Sequence, residues 1–135
     1  MKKVNFFFLG VVIICLVVSG IILAQGCSTS PVYTEEDASA VIAVKKGALF
    51  VIDLEENPST GFSWHYTVSD EKVAALDADH FTAPDSGEQL TGSPGRRQFQ
   101  FRAGAGGSAA ITFEYYREWE PANIAETYRF TVEVE

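Results

Sequence analysis

The sequence predicts an all-β protein: an immunoglobulin-like antiparallel β-sandwich, preceded by an N-terminal signal or anchor segment. Several short stretches alternate apolar and polar residues, which is the period-2 pattern of half-buried strands. Clusters of glycine, proline and serine separate these stretches at short intervals. No stretch shows the 3.6-residue period of an amphipathic helix, and no internal repeat is present. The apolar faces of two sheets must therefore pack on each other to form the core.

The first 27 residues have the layout of a secretory signal that ends in a cysteine. Lys2 and Lys3 make a basic start, residues 6–24 carry no charge, and Cys27 follows shortly after. We expect either lipidation at Cys27, as in a lipoprotein signal, or an uncleaved membrane anchor, because an apolar stretch of this length can just span a bilayer. In either case we expect an extracytoplasmic domain, membrane-anchored or secreted.

Charge and cysteine content restrict the partners. The chain has 135 residues and a formal net charge of −8, and loss of the signal segment removes no acidic residue. A domain this acidic is not suited to bind nucleic acid or an anionic lipid surface. Cys15 lies in the apolar segment and Cys27 at its end, so no cysteine pair remains for a disulfide. We expect a single, monomeric domain that is held together by its core.

The elements follow one another as short strands with turns between them. Residues 28–39 are rich in Ser, Thr, Pro and acidic residues and are predicted to form a polar tether. The alternating stretches of the domain over residues 40–135 are 41–44, 48–54, 62–68, the stretch around Phe99 and Phe101, 109–115 and 128–134. Residues 70–78 fit either a helical turn or an edge strand, and residues 80–82 are predicted as a further short strand.

The stretch from Asn57 to Trp64 is predicted to be a stiff turn that leads into a strand. Pro58 fixes its own φ, and Gly61 permits φ > 0. Ser59 and Thr60 are small hydroxyl residues that can form local hydrogen bonds. A short, stiff and uncharged loop can enter a cleft at little cost in ordering. An ordinary turn between strands is the alternative interpretation.

Residues for catalysis or metal binding are scarce. His65 lies on the solvent-facing phase of a strand and His80 lies beside acidic residues, so both are interpreted as surface histidines. Asp77 and Asp79 do not form a recognisable metal-ligand spacing with His80. No serine occupies a nucleophile motif. Residues 104–107 lack the lysine and helix of a phosphate loop and are predicted to be a hairpin turn. We therefore expect a protein that is not an enzyme and that has no metal or cofactor.

Three motifs fall in order along the chain. They are Asn57-Pro58-Ser59-Thr60-Gly61-Phe62-Ser63-Trp64, then Gly92-Ser93-Pro94-Gly95, then Arg117-Glu118-Trp119. Together they resemble the N-P-T-T-G-[FY]-x-W, G-x-G-G and R-P-W patterns of the chagasin-like inhibitors of papain-family cysteine proteases. The resemblance covers roughly residues 41–135. Ser59 keeps the hydroxyl of the family's threonine, Pro94 stiffens the second motif, and Glu118 replaces the proline of the third.

The resemblance implies a reversible, non-covalent inhibitor that blocks the active-site cleft of a papain-like protease with three adjacent loops. Thr60 would lie against the catalytic cysteine, and Trp119 would stack on aromatic residues at the primed side. The loop over residues 92–95 would follow the opposite side of the cleft. The protease-binding residues implied are Asn57, Pro58, Ser59, Thr60, Gly61, Phe62, Gly92, Ser93, Pro94, Gly95, Arg117, Glu118 and Trp119.

Several alternatives stay open at this point. The protein could instead be a non-inhibitory immunoglobulin-like module for adhesion or binding at the cell surface. Trp119 could be a core tryptophan, and Arg117 could be a surface partner of Glu118 or Glu120. Residues 104–107 match the family's glycine pattern more literally, but they are predicted to lie at the opposite end of the sandwich and are not assigned to the site.

Overall fold

The computed structural model describes residues 29–84 and 92–135. The predicted signal or anchor segment and Cys27 lie outside the described residues, as do residues 85–91. Within the two described ranges, no helix has both the length and the apolar character needed to cross a bilayer.

Two four-stranded sheets face each other, and their eight strands account for most of the described chain. The strands are β1 (Val32–Thr34), β2 (Val41–Val44), β3 (Leu49–Glu56), β4 (Ser63–Val68), β5 (Ala74–Thr82), β6 (Gly95–Ala103), β7 (Gly107–Tyr116) and β8 (Glu126–Val134). The strand order is β1-β3-β6-β5 in the first sheet and β2-β8-β7-β4 in the second. The predicted all-β sandwich is confirmed. Neighbouring strands are antiparallel except for β1 with β3 and β2 with β8, which are parallel.

Alternate residues of the strands form the hydrophobic core between the sheets. Phe50, Ile52 and Leu54 of β3 are fully buried, as their period-2 spacing predicts. Phe113 of β7 is also fully buried, and its ring centroid lies 4.8 Å from that of Phe99. Each fully buried side chain of this size contributes about 1.5–3 kcal/mol. Burial of this kind is the source of stability that a domain without a disulfide requires.

The segment before β6 differs from the prediction because its two fragments belong to one strand. A turn comes first, in which Val73 N–H donates to Asp70 O (3.1 Å) and Lys72 N–H donates to Asp70 Oδ1 (2.9 Å). β5 then runs without a break through His80 to Thr82, and its pairing with β6 shifts register between Leu76 and Ala78. This bulge interrupts the alternation of faces, so the sequence pattern did not show a single strand.

The predicted polar tether is part of the fold from Val32 onward. β1 pairs in parallel with β3, and a 3-10 helix, Glu35–Asp37, follows it. Arg96 of β6 makes a bidentate contact with Glu35 (2.8 and 3.0 Å) and a further hydrogen bond to the Asp53 carboxylate (2.7 Å). A three-residue strand has too few positions to show alternation, and its partners lie far away along the chain. No local pattern therefore indicates β1.

The sandwich has two ends, which we name by their loops. The motif end carries residues 57–62, 92–94 and 117–125, and the far end carries the turns at residues 45–48 and 104–106. The chain enters at the far end, since Pro31 O accepts a hydrogen bond from Val51 N–H (2.9 Å) and residues 29–31 border a groove with residues 47–49 and Arg102. Residues 104–107 also lie at the far end, as the sequence predicts.

The contact between Glu35 and Arg96 makes part of the stability depend on pH. Hydrogen bonds from Arg96 hold the pKa of Glu35 below its usual range. A lowered folded-state pKa gives a contribution that is present above the unfolded-state pKa and is lost as the pH falls through the folded-state pKa. We expect Glu35→Gln to lower the free energy of unfolding by less than about 1 kcal/mol near pH 7, because the pair is partly exposed to solvent.

Urea denaturation measures this effect. The difference between Glu35→Gln and the parent should shrink towards zero as the pH falls through the folded-state pKa of Glu35, because the protonated carboxyl carries no charge for Arg96 to pair with. Glu36→Gln is the matched control because Glu36 lies in the same 3-10 helix and is exposed. If the difference in the free energy of unfolding stays constant with pH, the contact between Glu35 and Arg96 is not the source of the pH dependence.

Candidate functional site

The three motifs meet at the motif end of the sandwich. We call residues 57–62 the first loop, residues 92–94 the second loop and residues 117–125 the third loop. Glu56 pairs with Gly95 at the ends of β3 and β6, and Ser63 pairs with Tyr116 at the ends of β4 and β7. This register brings the first loop beside both of the others. The resemblance implied that Thr60, Gly92 and Trp119 lie at a common end, and the structure brings them together there.

The first loop is a single 3-10 turn that is held by its own hydrogen bonds. Asn57 caps the turn Pro58–Thr60, and its Oδ1 accepts from Ser59 N–H (3.2 Å) and from Ser59 Oγ (2.6 Å). Thr60 Oγ1 donates to Asn57 O (2.7 Å). Gly61 ends the turn with φ 77°, a left-handed conformation that favours glycine. The side chains of Ser59 and Thr60 are exposed on this rigid turn.

The second loop is tied to the first by one side chain. Asn57 Nδ2 donates to Gly92 O (2.9 Å), and both Gly92 and Pro94 are exposed. Gly95 has a different role from the one that the sequence suggested. It is buried in β6, and a Cβ added there would lie 2.5 Å from both Phe81 Cζ and Thr82 O. Gly95 is therefore required for close packing between β5 and β6 and is not available as a contact residue.

Tyr115, at the end of β7, connects the first and third loops to the core. Its hydroxyl accepts a hydrogen bond from Asn57 N–H (3.0 Å), and its carbonyl accepts one from Ala125 N–H (2.8 Å). Its ring lies 5.3 Å from that of Phe62 and 4.6 Å from that of Trp64. The alternating pattern places Tyr115 on a strand but does not indicate this role, because only the register between strands brings its hydroxyl to Asn57.

Arg117 lies across the first loop. Its Nε donates to Thr60 O (3.1 Å), and its guanidinium lies 4.4 Å from the centroid of the Phe62 ring. It also pairs with Glu120 at 3.3 Å, so the surface ion pair that the sequence left open is present as well. A guanidinium over an aromatic ring contributes about 0.5–1 kcal/mol at an exposed site. Arg117 therefore links the third loop to the first.

Trp119 projects into solvent from the third loop. Its side chain is 69% exposed, so the core interpretation is wrong for this tryptophan, whereas Trp64 is buried. The indole lies over the first loop, since a Cβ added at Gly61 would be 2.5 Å from Trp119 Cη2. Glu118 is exposed beside it. An exposed indole on an ordered loop is a suitable anchor for a partner.

The chemistry of the three loops is that of a binding surface. They offer hydroxyls, side-chain amides, backbone groups, the carboxylates of Glu118 and Glu120, one guanidinium and one indole, and residues 57–62, 92–94 and 117–125 contain neither histidine nor cysteine. His65 stacks on Tyr116 with a centroid distance of 3.8 Å. Asp77 accepts hydrogen bonds from Gln100 and Arg102, and Asp79 forms an ion pair with Arg97. These two carboxylates therefore have different protein partners.

A shallow acidic and aromatic groove of about 430 Å³ runs beside the first loop. Glu35, Glu55 and Glu126 contribute its carboxylates, and Phe62 and Trp64 are among its aromatic residues. Tyr128, which also lines it, donates from its hydroxyl to Glu126 Oε2 (2.8 Å), and this hydrogen bond raises the pKa of Tyr128 to about 12.

Fold and site together define a class: an immunoglobulin-like sandwich that presents three linked loops and an exposed indole at one end. Comparison with known proteins identifies the family within this class. Residues 43–134 match the chagasin family of peptidase inhibitors, I42, and the chain belongs to that family. The predicted resemblance is confirmed, and with it the expectation of an inhibitor rather than an enzyme.

A curated relative agrees with this assignment, and solved structures share the fold. The chain is 32% identical to chagasin of Trypanosoma cruzi over 105 residues, which cover 73% of this chain and 91% of chagasin. The cysteine protease inhibitor EhICP2 of Entamoeba histolytica has the same fold, with a TM-score of 0.70 at 24% identity over 78% of this chain and 95% of that chain. PbICP-C, in a complex with falcipain-2, aligns with a TM-score of 0.50 at 23% identity over 79% of this chain and 92% of that chain.

Proposed function

We propose that this protein is a reversible, non-covalent inhibitor of papain-family cysteine proteases that blocks the active-site cleft with its three loops. Membership of the chagasin family supports the activity. The observation that carries the proposal is the linkage of the loops at one end. Asn57 joins the first loop to the second, and Arg117 joins it to the third.

The first loop is the part that would meet the catalytic cysteine. A protease cleaves a segment that it can bind in an extended conformation, but residues 58–60 form a 3-10 turn and Gly61 is left-handed. The carbonyl of Thr60 is already bonded to Arg117, and the Thr60 hydroxyl is bonded to Asn57. Opening this turn would break several bonds at once. The loop can therefore occupy the cleft without becoming a substrate, and its preorganisation lowers the cost of association.

The other two loops would hold the inhibitor on either side of the cleft. Trp119 offers the largest exposed apolar surface near the first loop and would stack on aromatic residues at the primed side. Gly92 and Pro94 would follow the opposite side. We assign Arg117 chiefly to holding the first loop, because its donor groups already bind Thr60 and Glu120.

Titration against papain tests the proposal. A fragment of residues 29–135 keeps every described strand and the whole hydrophobic core, so it is suited to the assay. We expect one equivalent of inhibitor to abolish activity, and we expect the inhibitor to be recovered intact after long incubation. No inhibition at micromolar concentration would refute the proposal and favour a non-inhibitory adhesion or binding module.

Thr60→Arg tests the placement of the first loop. The bulky side chain is expected to raise the inhibition constant for papain by about 100-fold or more, because Thr60 is exposed at the centre of the proposed interface. Thr60→Val is the matched control, since it removes the same hydroxyl bond to Asn57 without adding bulk. Similar inhibition constants for Thr60→Arg and the parent would place the contact surface elsewhere.

We also infer that the domain is displayed outside the cytoplasm, either lipidated at Cys27 or held by an uncleaved anchor. The basic start, the uncharged residues 6–24 and the following cysteine support this. Mass spectrometry of the mature amino terminus decides between the two: a diacylated Cys27 as first residue indicates the lipid anchor, and an intact Met1 indicates the membrane anchor. A mature terminus downstream of Cys27 would contradict both.

A further inference from the structure

We propose that Tyr115 is a positioning residue that holds the three loops in their inhibitory arrangement. It would act through a relay of hydrogen bonds that runs from its hydroxyl to Asn57 and from Asn57 to Gly92. This inference rests on the proposed function and specifies which residue outside the three loops sets their geometry.

The first part of the relay joins the two sheets at the motif end. Asn57 directly follows β3 of the first sheet, whereas Tyr115 belongs to β7 of the second. The Asn57 N–H donates to the Tyr115 hydroxyl (3.0 Å), so the start of the first loop is attached to the opposite sheet. The Tyr115 ring packs against Phe62 at the end of the same loop. One side chain thus contacts both ends of the first loop.

The second part passes through Asn57 to the second loop. All four polar groups of Asn57 are used: its N–H by Tyr115, its carbonyl by Thr60, its Oδ1 by Ser59 and its Nδ2 by Gly92. A displacement of Asn57 would therefore change the turn at Thr60 and the position of Gly92 together. The third loop is linked to the same point, because the Tyr115 carbonyl accepts from Ala125 N–H.

The hydroxyl of Tyr115 lies at the edge of the fold, outside the main core. Phe113, two residues earlier on the same face, is fully buried, but Tyr115 is only half-buried. Loss of the hydroxyl should therefore affect the order of the loops more than global stability. A looser first loop would lose preorganisation, which shortens the lifetime of the complex.

Tyr115→Phe tests the inference, since it removes the hydroxyl and keeps the ring. With papain, we expect dissociation to become about tenfold faster with little change in the association rate. We also expect slow cleavage within residues 57–61 during long incubation. Amide hydrogen exchange over these residues should become faster without papain, and the melting temperature should fall by no more than a few degrees.

Tyr128→Phe is the matched control. Tyr128 also packs on Trp64, with a centroid distance of 5.5 Å, but its hydroxyl donates to Glu126 and has no bond to the first loop. For Tyr128→Phe we expect the dissociation rate from papain and the amide hydrogen exchange of the first loop to match those of the parent.

Asn57→Asp gives a second test because it keeps the acceptor for Ser59 and loses the donor to Gly92. When Asn57→Asp is combined with Tyr115→Phe, the increase in the dissociation rate should be less than the sum of the two single effects in free energy.

The outcomes separate this inference from the proposed function. If the parent protein inhibits papain but Tyr115→Phe dissociates at the parent rate with the first loop uncut, the positioning role is refuted and the inhibitory function stands. If the parent does not inhibit, the proposed function fails. Hydrogen exchange over residues 57–61 then still decides whether Tyr115 orders the loop, and parent-like exchange in Tyr115→Phe would refute the relay.

Discussion

Replacing Trp119 with alanine is expected to weaken inhibition of papain by about 100-fold or more while leaving the melting temperature almost unchanged. The side chain is 69% exposed, so its removal takes little from the core. A hot-spot tryptophan that is buried on binding costs about 2 to 4 kcal/mol when it is truncated, and a 100-fold loss of affinity corresponds to about 2.7 kcal/mol. Inhibition constants and thermal unfolding curves of the same preparations measure both effects.

Val41→Ala is the control for the loss of an exposed apolar side chain. Val41 is 56% exposed but lies on β2, away from the three loops. The inhibition constant of Val41→Ala should therefore match that of the parent. An inhibition constant for Trp119→Ala within twofold of the parent value would show that the third loop makes no important contact with the protease.

Gly61→Ala is expected to affect both stability and inhibition. Gly61 has φ 77°, and an alanine in this left-handed conformation costs about 1–2 kcal/mol. The new Cβ would also lie 2.5 Å from Trp119 Cη2, so the exposed indole must move away. Because the turn is strained and the anchor displaced at the same time, we expect the inhibition constant to rise by about 100-fold or more.

Gly47→Ala separates the cost of the left-handed backbone from the displacement of Trp119. Gly47 has a similar φ of 82° but lies at the far end, and a Cβ there would meet nothing within 4 Å. It should lose a comparable amount of stability, as measured by urea denaturation, and keep full inhibition. Equal inhibition by Gly61→Ala and Gly47→Ala would mean that the position of Trp119 over Gly61 has no part in binding.

The strands of the core could be predicted because their pattern is local. Phe50, Ile52 and Leu54 alternate with polar or half-buried neighbours, and the fixed period of a strand places them on one face. Two of the four edge strands, β1 and β5, could not be predicted in the same way. β5 has a bulge and mostly exposed residues, and β1 has three residues and a parallel partner. These two strands bury little, so burial leaves a weak pattern in their sequence.

At the site too, features set by local sequence could be predicted and features set by distant partners could not. The turn at Pro58 and Gly61 could be predicted because each residue restricts or permits its own backbone angles. The roles of Tyr115 and Arg117 could not, since both depend on partners more than fifty positions away. Gly95 was misassigned for a related reason: a glycine pattern does not distinguish a loop from a place where Phe81 packs against the backbone.

The point where the chain enters the sandwich determines how the inhibitor is presented. Residues 29–31 lie at the far end, and the eight residues of β3 separate that end from Asn57 by about 27 Å at about 3.4 Å per residue. If the proposed anchor upstream of Thr29 is present, we expect Trp119 and its neighbours to point outward from the cell surface, beyond the reach of the lipid headgroups. A soluble protease in the surrounding medium can then approach along the membrane normal without colliding with the bilayer.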